Sequence, residues 1–238
     1  MPETALRRRL AWLPAWKLPE FKLLAALILL SGGVYGFIAL AEEVVEGETR
    51  SFDEAVLMAL RVPDDPGQAI GPWWLEVMFA DITSLGSATA LFLVTVAVVG
   101  YLLIARSYAA AALVLASVAG GQILSSLLKN VFARPRPDLV DHLVNVHSLS
   151  FPSGHAMLSA ATYLTLGALL ARTQPVLAVR GYILAVAVTL TLLIGVSRVY
   201  LGVHYPTDVA AGWCAGAVWA MACWLVASRL TRRTDAAV

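Results

Sequence analysis

Three groups of polar residues lie near the ends of long apolar segments, and their residue types suit phosphate chemistry. In chain order they are Lys129 with Arg136, the tetrapeptide Pro152-Ser153-Gly154-His155, and Ser197-Arg198 followed by His204 and Asp208. Cations gathered at the edge of hydrocarbon need an anion, because an unpaired charge is costly there. The forked donors of Arg match the oxygens of a phosphate group. Lys129, Arg136 and Arg198 are therefore candidate phosphate-binding residues.

Ser153 and Gly154 stand immediately before an apolar run that is typical of a helix. The free backbone N–H groups and the positive dipole end of a helix form an anion site, and Gly lets the backbone approach a ligand closely. The sequence therefore predicts that Ser153 and Gly154 also bind phosphate.

Two histidines and a carboxylate complete the set. Asp208 follows His204 by four residues, the spacing at which one helical turn brings side chains together. A carboxylate on one ring nitrogen fixes the tautomer and leaves the other nitrogen free to attack phosphorus. His155 remains to protonate the departing oxygen and then to activate water. These groups predict a phosphomonoesterase site that needs no metal and no other cofactor.

The three groups together match a known motif. Residues 129–137 follow the pattern K-x6-R-P, residues 152–155 are P-S-G-H, and residues 197–208 follow S-R-x5-H-x3-D. With all eleven fixed positions present, the chain resembles the type 2 phosphatidic acid phosphatase superfamily, including its bacterial phosphatidylglycerophosphate and undecaprenyl diphosphate phosphatases.

The resemblance implies a metal-independent lipid phosphate phosphatase with a phosphohistidine intermediate. It makes His204 the nucleophile, Asp208 its orienting partner and His155 the acid and base. It assigns phosphate binding to Lys129, Arg136, Ser153, Gly154 and Arg198. Arg134 is an additional base in this segment, which we interpret as an interface anchor or as a residue near the lipid headgroup or the substrate.

The composition indicates what must position these residues. Of the 238 residues 59% are hydrophobic and only 14% are charged, with a mean hydropathy of +0.76. Six apolar segments approach the length that crosses a bilayer: residues 22–41, 85–105, 108–128, 156–171, 181–200 and 208–228. The sequence predicts an all-α integral membrane bundle of six transmembrane helices, in a single domain over residues 1–238.

In the first outer loop, the helical spacing of Phe52, Val56, Leu57 and Leu60 predicts a short amphipathic helix with Asp53 and Glu54 on another face.

The distribution of charge predicts the orientation. With both termini in the cytoplasm, eleven of the 17 Lys and Arg residues, among them Arg7, Arg8, Arg9 and Lys17, fall on the cytoplasmic side. The three polar groups then meet on the opposite side of a cell membrane, which we take to be a bacterial inner membrane. Ala39-Leu40-Ala41 resembles a signal-peptide cleavage site, but the apolar stretch before it is longer than usual, which favours an uncleaved span.

Several functions share these residues. A lipid phosphotransferase would use the same site with another acceptor, a haloperoxidase would hold vanadate in it, and a lipid sensor would bind without turnover. The expected partners are a lipid phosphate and membrane lipids, with no obligate protein partner evident. A net charge of +1 gives no bulk attraction to nucleic acid. Phosphatidic acid, phosphatidylglycerol phosphate, undecaprenyl diphosphate and lipid A phosphates remain alternative substrates.

Overall fold

The computed structural model describes residues 18–146 and 148–236, and the side chains of residues 18–22 and 230–236 are not considered. Four bases on which the predicted orientation depends, Arg7, Arg8, Arg9 and Lys17, lie outside this range. The described chain forms helices and one small hairpin: α1 (Leu18–Glu46), α2 (Arg50–Ala59), β1 (Arg61–Val62), β2 (Asp65–Ala69), α3 (Trp73–Ser84), α4 (Ala88–Ile104), α5 (Tyr108–Phe132), α6 (Gly154–Thr173), α7 (Leu177–Tyr200) and α8 (Pro206–Ala236).

The helices confirm the predicted membrane architecture. Five of them, α1, α5, α6, α7 and α8, are each long and apolar enough to cross a bilayer. The pair α3 and α4, bent by 45° between its two parts, is long and apolar enough for a sixth span if the two helices cross together. Large apolar side chains on these helices face outward: Leu29, Phe92 and Ile104 are 65%, 64% and 86% exposed. Such a surface is suited to lipid contact.

Small residues bring α6 and α8 close together at the centre of the bundle. A Cβ atom at Gly212 would lie 2.7 Å from the carbonyl oxygen of Ser153, and one at Gly216 would lie 2.3 Å from that of Met157. Membrane helices pack this closely through small residues because dispersion contacts replace the hydrophobic effect between them. The start of α6 is therefore fixed against the first turns of α8.

A second close approach occurs where α3 meets α4. A Cβ atom at Gly86 would lie 2.4 Å from Cγ2 of Ile194 in α7 and 3.5 Å from Cδ2 of His155. The bend in this span therefore lies against the beginning of α6.

The short helix α2 confirms the prediction for the first outer loop, although its placement differs in one respect. Leu57 is fully buried in a cluster with Ala156, Val199 and Val209, so α2 packs over the ends of α6, α7 and α8. Asp53 is also fully buried, whereas its neighbour Glu54 remains partly exposed. The prediction that Asp53 lies on a different face of the helix from Leu57 is therefore wrong, because the two residues share the buried face. The β1–β2 hairpin that follows was not predicted.

Candidate active site

A cavity of about 480 Å³ opens where the ends of α5 and α7 meet the start of α6. Six of the eight predicted site residues line this cavity: Lys129, Arg136, Gly154, His155, Arg198 and His204. The other two, Ser153 and Asp208, lie behind the cavity wall and are fully buried. The structure thus brings all three sequence groups to one place, as their positions at helix ends required. Part of the remaining wall comes from Thr83, Ser84 and Ser87 around the α3–α4 bend and from residues 144–146 and 148.

Three cations face this cavity from different elements. Lys129, in the last turn of α5, donates to the carbonyl oxygen of Leu149. Arg198, in the last turn of α7, donates through Nη1 to Oγ1 of Thr83 at 3.0 Å. The buried Nε of Arg198 has no hydrogen-bond partner in the described part of the chain. These groups retain the capacity to bind an anion that enters the cavity.

Arg136 is held by backbone and side-chain oxygens. Its Nε and Nη1 donate to the carbonyl oxygens of Ser148 and Val203, each at 2.6 Å, and its Nη2 donates to Oγ of Ser148 at 3.1 Å. Burial lowers the pKa of Arg136, which Asp208 partly offsets. The orientation fixed in this way puts Nη1 3.2 Å from Nε2 of His204.

This contact assigns the tautomer of His204. A guanidinium group only donates, so Nε2 of His204 must accept, and the proton of the neutral ring lies on Nδ1. Nδ1 lies 3.4 Å from Oδ2 of Asp208 and 3.3 Å from Oγ of Ser150. Burial lowers the pKa of His204 to about 3, outweighing the opposite effect of Asp208. At neutral pH the ring is therefore uncharged, with the lone pair of Nε2 beside the Arg136 guanidinium.

Asp208 has several donors besides His204. Its Oδ2 accepts from Oγ of Ser150 at 2.5 Å and from the backbone N–H of Tyr205 at 3.0 Å. Its Oδ1 accepts from Nη1 of Arg134 at 2.7 Å. A buried carboxylate is stable only when it is paired in this way. Asp208 is thus held in place from two sides.

The start of α6 supplies the remaining groups. Ser153 stands at the N-cap, and its own N–H donates to the carbonyl oxygen of Asp208 at 2.9 Å. Its Oγ is buried without a partner among the described residues. The ring of His155 lines the cavity and makes no hydrogen bond with the described residues. The His155 ring is therefore open to a ligand in the cavity, and Oγ of Ser153 is an unpaired donor directly behind the cavity wall.

Sequence reasoning missed the residues that support this site. The prediction that Arg134 is an interface anchor or lies near the headgroup or substrate does not include its partners: Arg134 is turned inward onto Asp53 and Asp208 and is only 15% exposed. Thr83 and Ser150 also stand next to site residues without belonging to the motif. Asp53 precedes Arg134 by 81 residues, and no local pattern reveals such a pair.

A multi-pass helical bundle with a cation-lined cavity beside a histidine–carboxylate pair defines an integral membrane enzyme that acts on phosphate. The sequence matches the PAP2 superfamily over residues 108–232, which is more than half of its length. The chain belongs to the PAP2 superfamily and is a hydrolase acting on phosphate esters or anhydrides. The resemblance inferred from the motif is thereby confirmed.

Individual relatives agree with this assignment. The chain is 32% identical to phosphatidylglycerophosphatase B of Bacillus subtilis over 76% of its own length and 85% of the relative's. It is 38% identical to decaprenylphosphoryl-5-phosphoribose phosphatase of Mycobacterium tuberculosis over 40% of its length and 48% of that protein's. A solved transmembrane PAP2-type phosphatidylglycerolphosphate phosphatase from Bacillus subtilis superimposes with a TM-score of 0.76 at 29% identity, covering 84% of this chain and 96% of that one. These likenesses support a lipid phosphatase.

Proposed function

We propose that this lipid phosphatase works through a phosphohistidine intermediate formed on His204, at the non-cytoplasmic face of the membrane. The observation that carries the proposal is the arrangement around His204. Its Nε2 stands at the cavity beside Arg136, while its Nδ1 is directed toward Asp208. A ring held in this tautomer presents its lone pair to phosphorus once the Arg136 guanidinium turns from Nε2 to the phosphate oxygens, and it can pass the resulting positive charge toward a carboxylate.

In the first step the phosphate of the lipid binds among Lys129, Arg136 and Arg198, with Oγ of Ser153 and the N–H groups at the start of α6 as further donors. Nε2 of His204 attacks phosphorus, the N–P bond forms, and the bond from phosphorus to the lipid oxygen breaks. His155 gives its proton to that oxygen, which leaves as an alcohol, or as a lipid monophosphate when the substrate is a diphosphate. The three cations offset the charge that spreads over the phosphoryl oxygens.

In the second step His155 removes a proton from water, and the resulting hydroxide attacks phosphorus. The N–P bond breaks, phosphate departs, and His204 returns to the neutral tautomer with its proton on Nδ1. Asp208 remains ionised throughout and holds the ring. No step in this scheme calls for a metal or an organic cofactor.

Trapping of the intermediate tests the scheme. Purified protein in detergent is mixed with ³²P-labelled phosphatidic acid and quenched in alkali, in which phosphohistidine survives. We expect label on the wild type and none on His204→Gln. The matched control is His142→Gln, because His142 lies in the same outer segment and bonds to the carbonyl oxygen of Pro137 at 2.8 Å. Label trapped on His204→Gln, or undiminished turnover by His204→Gln, would remove His204 as the nucleophile.

The same experiment separates the roles of the two histidines. With an activated substrate such as p-nitrophenyl phosphate, the leaving group needs no proton, so His155→Gln should still form the intermediate. It should then accumulate label, because no base activates water. A His155→Gln protein that turns this substrate over as fast as the wild type would refute the assignment of His155.

The proposal also includes the side of the membrane and the reaction class. The bias of Lys and Arg in the sequence supports a cytoplasmic location for both termini and an outer location for the cavity. Hydrolysis is distinguished from phosphotransfer by adding a second lipid acceptor. We expect free phosphate, and phosphorylated acceptor in its place would favour the phosphotransferase.

A further inference from the structure

A buried chain of charges links the short helix α2 to the first turn of α8. It begins at Asp53, whose side chain is fully buried. Oδ1 of Asp53 accepts from the backbone N–H of Thr207 at 3.1 Å, and Oδ2 accepts from Oγ1 of Thr207 at 2.6 Å. A carboxylate at this position satisfies a free donor at the start of α8 and is favoured by the helix dipole. Asp53 therefore anchors the turn that carries Asp208.

Arg134 forms the next link. Its Nη2 donates to Oδ2 of Asp53 at 2.8 Å, and its Nη1 donates to Oδ1 of Asp208 at 2.7 Å and to Oγ1 of Thr207 at 3.0 Å. The guanidinium also lies over the ring of Tyr205, 4.3 Å from the centroid. Burial lowers the pKa of Arg134, but Asp208 and Asp53 outweigh that effect and raise it. One guanidinium is thus shared between two buried carboxylates.

Because Arg134 is bound to both carboxylates, it affects how strongly the negative charge of Asp208 acts on His204. Arg134 contacts one oxygen of Asp208 while His204 faces the other, so the two compete for the same carboxylate. Asp53 offsets the charge of Arg134 from the far side. With Asp53, Arg134 and Asp208 ionised, the group carries a net charge of −1, and without the charge of Asp53 it carries none. Such a difference is weakly screened in a buried site.

We propose that Asp53 is a positioning residue of the active site, which holds Arg134 and offsets its charge so that Asp208 remains an effective partner for His204. The inference rests on the proposed role of His204 as nucleophile. It adds α2, which precedes the motif-bearing segment 129–208, to the parts of the chain that determine the rate. The competing explanation is that Asp53 only fastens α2 to the bundle, as the buried Leu57 does.

Steady-state kinetics of the full chain in detergent, with phosphatidic acid micelles as substrate, test this role. Asp53→Asn keeps the size of the side chain and removes its charge. We expect kcat to fall roughly tenfold, a coupling typical of residues that share one network. KM should stay within about twofold, because the groups that bind phosphate are unchanged.

Two variants on the same helix serve as controls. Glu54→Gln removes an acid whose only ion pair among the described residues is with Arg50, at 2.6 Å, and should leave kcat and Tm unchanged. Leu57→Ala weakens the apolar attachment of α2 and should lower Tm while kcat stays within about twofold of the wild type. If loosening α2 were the whole effect, Leu57→Ala would lower kcat as Asp53→Asn does, which would overturn the proposal.

A double variant gives the sharpest test. Asp53→Asn with Arg134→Gln returns the net charge of the group to −1, whereas Arg134→Gln alone leaves −2. If Asp53 acts by offsetting Arg134, the double variant should turn over faster than Asp53→Asn alone. A purely structural Asp53 predicts the reverse, since the double variant loses one more buried contact. A double variant as slow as the single one, or an Asp53→Asn protein with the kcat of the wild type, would refute the inference.

The outcome is also separable from that of the proposed function. Undiminished turnover by His204→Gln would count against His204, whereas an inactive His204→Gln with an unaffected Asp53→Asn would count against Asp53 alone. If Asp53→Asn gives no monodisperse protein, Thr207→Val removes the hydroxyl that donates to Asp53 and is expected to lower kcat at unchanged KM. A Thr207→Val protein with the kcat of the wild type would then refute the inference.

Discussion

The buried, neutral state of His204 predicts a pH-dependent stability that can be assigned to this one residue. Its pKa is about 3 in the folded protein, against an ordinary value of 6.5. Between these values the unfolded chain binds a proton that the folded protein excludes, so the free energy of unfolding falls as the pH falls below 6.5. At pH 5 the difference of 1.5 units from the ordinary value corresponds to about 2 kcal/mol. Above pH 6.5 this contribution is absent.

The assay compares Tm at pH 7.5 and pH 5 in detergent and in a phosphate-free buffer, because a bound anion would stabilise the fold. For a chain of this size 2 kcal/mol corresponds to a fall in Tm of about 4–8 °C. His204→Gln has no titrating group at this position, so its Tm should fall by that much less than the Tm of the wild type. His142→Gln should behave as the wild type does. An equal fall of Tm in the wild type and in His204→Gln would show that the ring is not held neutral by its surroundings.

Three further outcomes are expected from the same reasoning. Activity should survive EDTA and be inhibited by vanadate, which adopts the five-coordinate shape of the transferring phosphoryl group; loss of activity in chelator, restored by Mg²⁺, would contradict the scheme. Thr83→Val removes the hydroxyl that accepts from Arg198 and should lower kcat/KM about tenfold, since a hydrogen bond to a charged group contributes at least about 1.5 kcal/mol. The control Thr95→Val removes a hydrogen bond within α4 and should leave kcat/KM unchanged. The cysteine of an Asp141→Cys variant should react with an impermeant thiol reagent on intact cells, and that of an Arg172→Cys variant only on broken cells. The opposite pattern would invert the proposed topology.

The sequence was sufficient for the elements that depend on local composition. Six spans and the helix α2 follow from the length and periodicity of apolar residues, which act within a few helical turns. The bend between α3 and α4 was not predicted, because the fit of Gly86 against Ile194 depends on a helix more than a hundred residues further along the chain. The hairpin was missed because β1 has only two residues, too few to show an alternation.

The candidate site shows the same division. The sequence predicts that Lys129, His155 and His204 lie close together, because each stands at a helix end on the same side of the bundle. The network around Asp208 could not be predicted in this way, because Asp53, Arg134 and Thr207 meet only after α2 has packed over the bundle. An acid on a short amphipathic helix is ordinarily solvated, and nothing in its neighbours indicates burial. Pairing of buried charges is decided by tertiary structure, which residue types alone do not encode.

The walls of the cavity come from two different sets of elements, which affects how substrate preference can vary among related proteins. The proposed catalytic and phosphate-binding groups stand at the ends of α5 and α7, at the start of α6 and just before α8. Part of the opposite wall comes from the α3–α4 bend and from residues 144–146. Thr83, which holds Arg198, and Gly86, which packs against His155, tie this second wall to the first. Substitutions at its other residues, Ala80, Asp81, Ser84, Ser87 and 144–146, change the volume and polarity offered to the rest of the lipid, and exchange of these positions between relatives is a practical route to new substrate preferences.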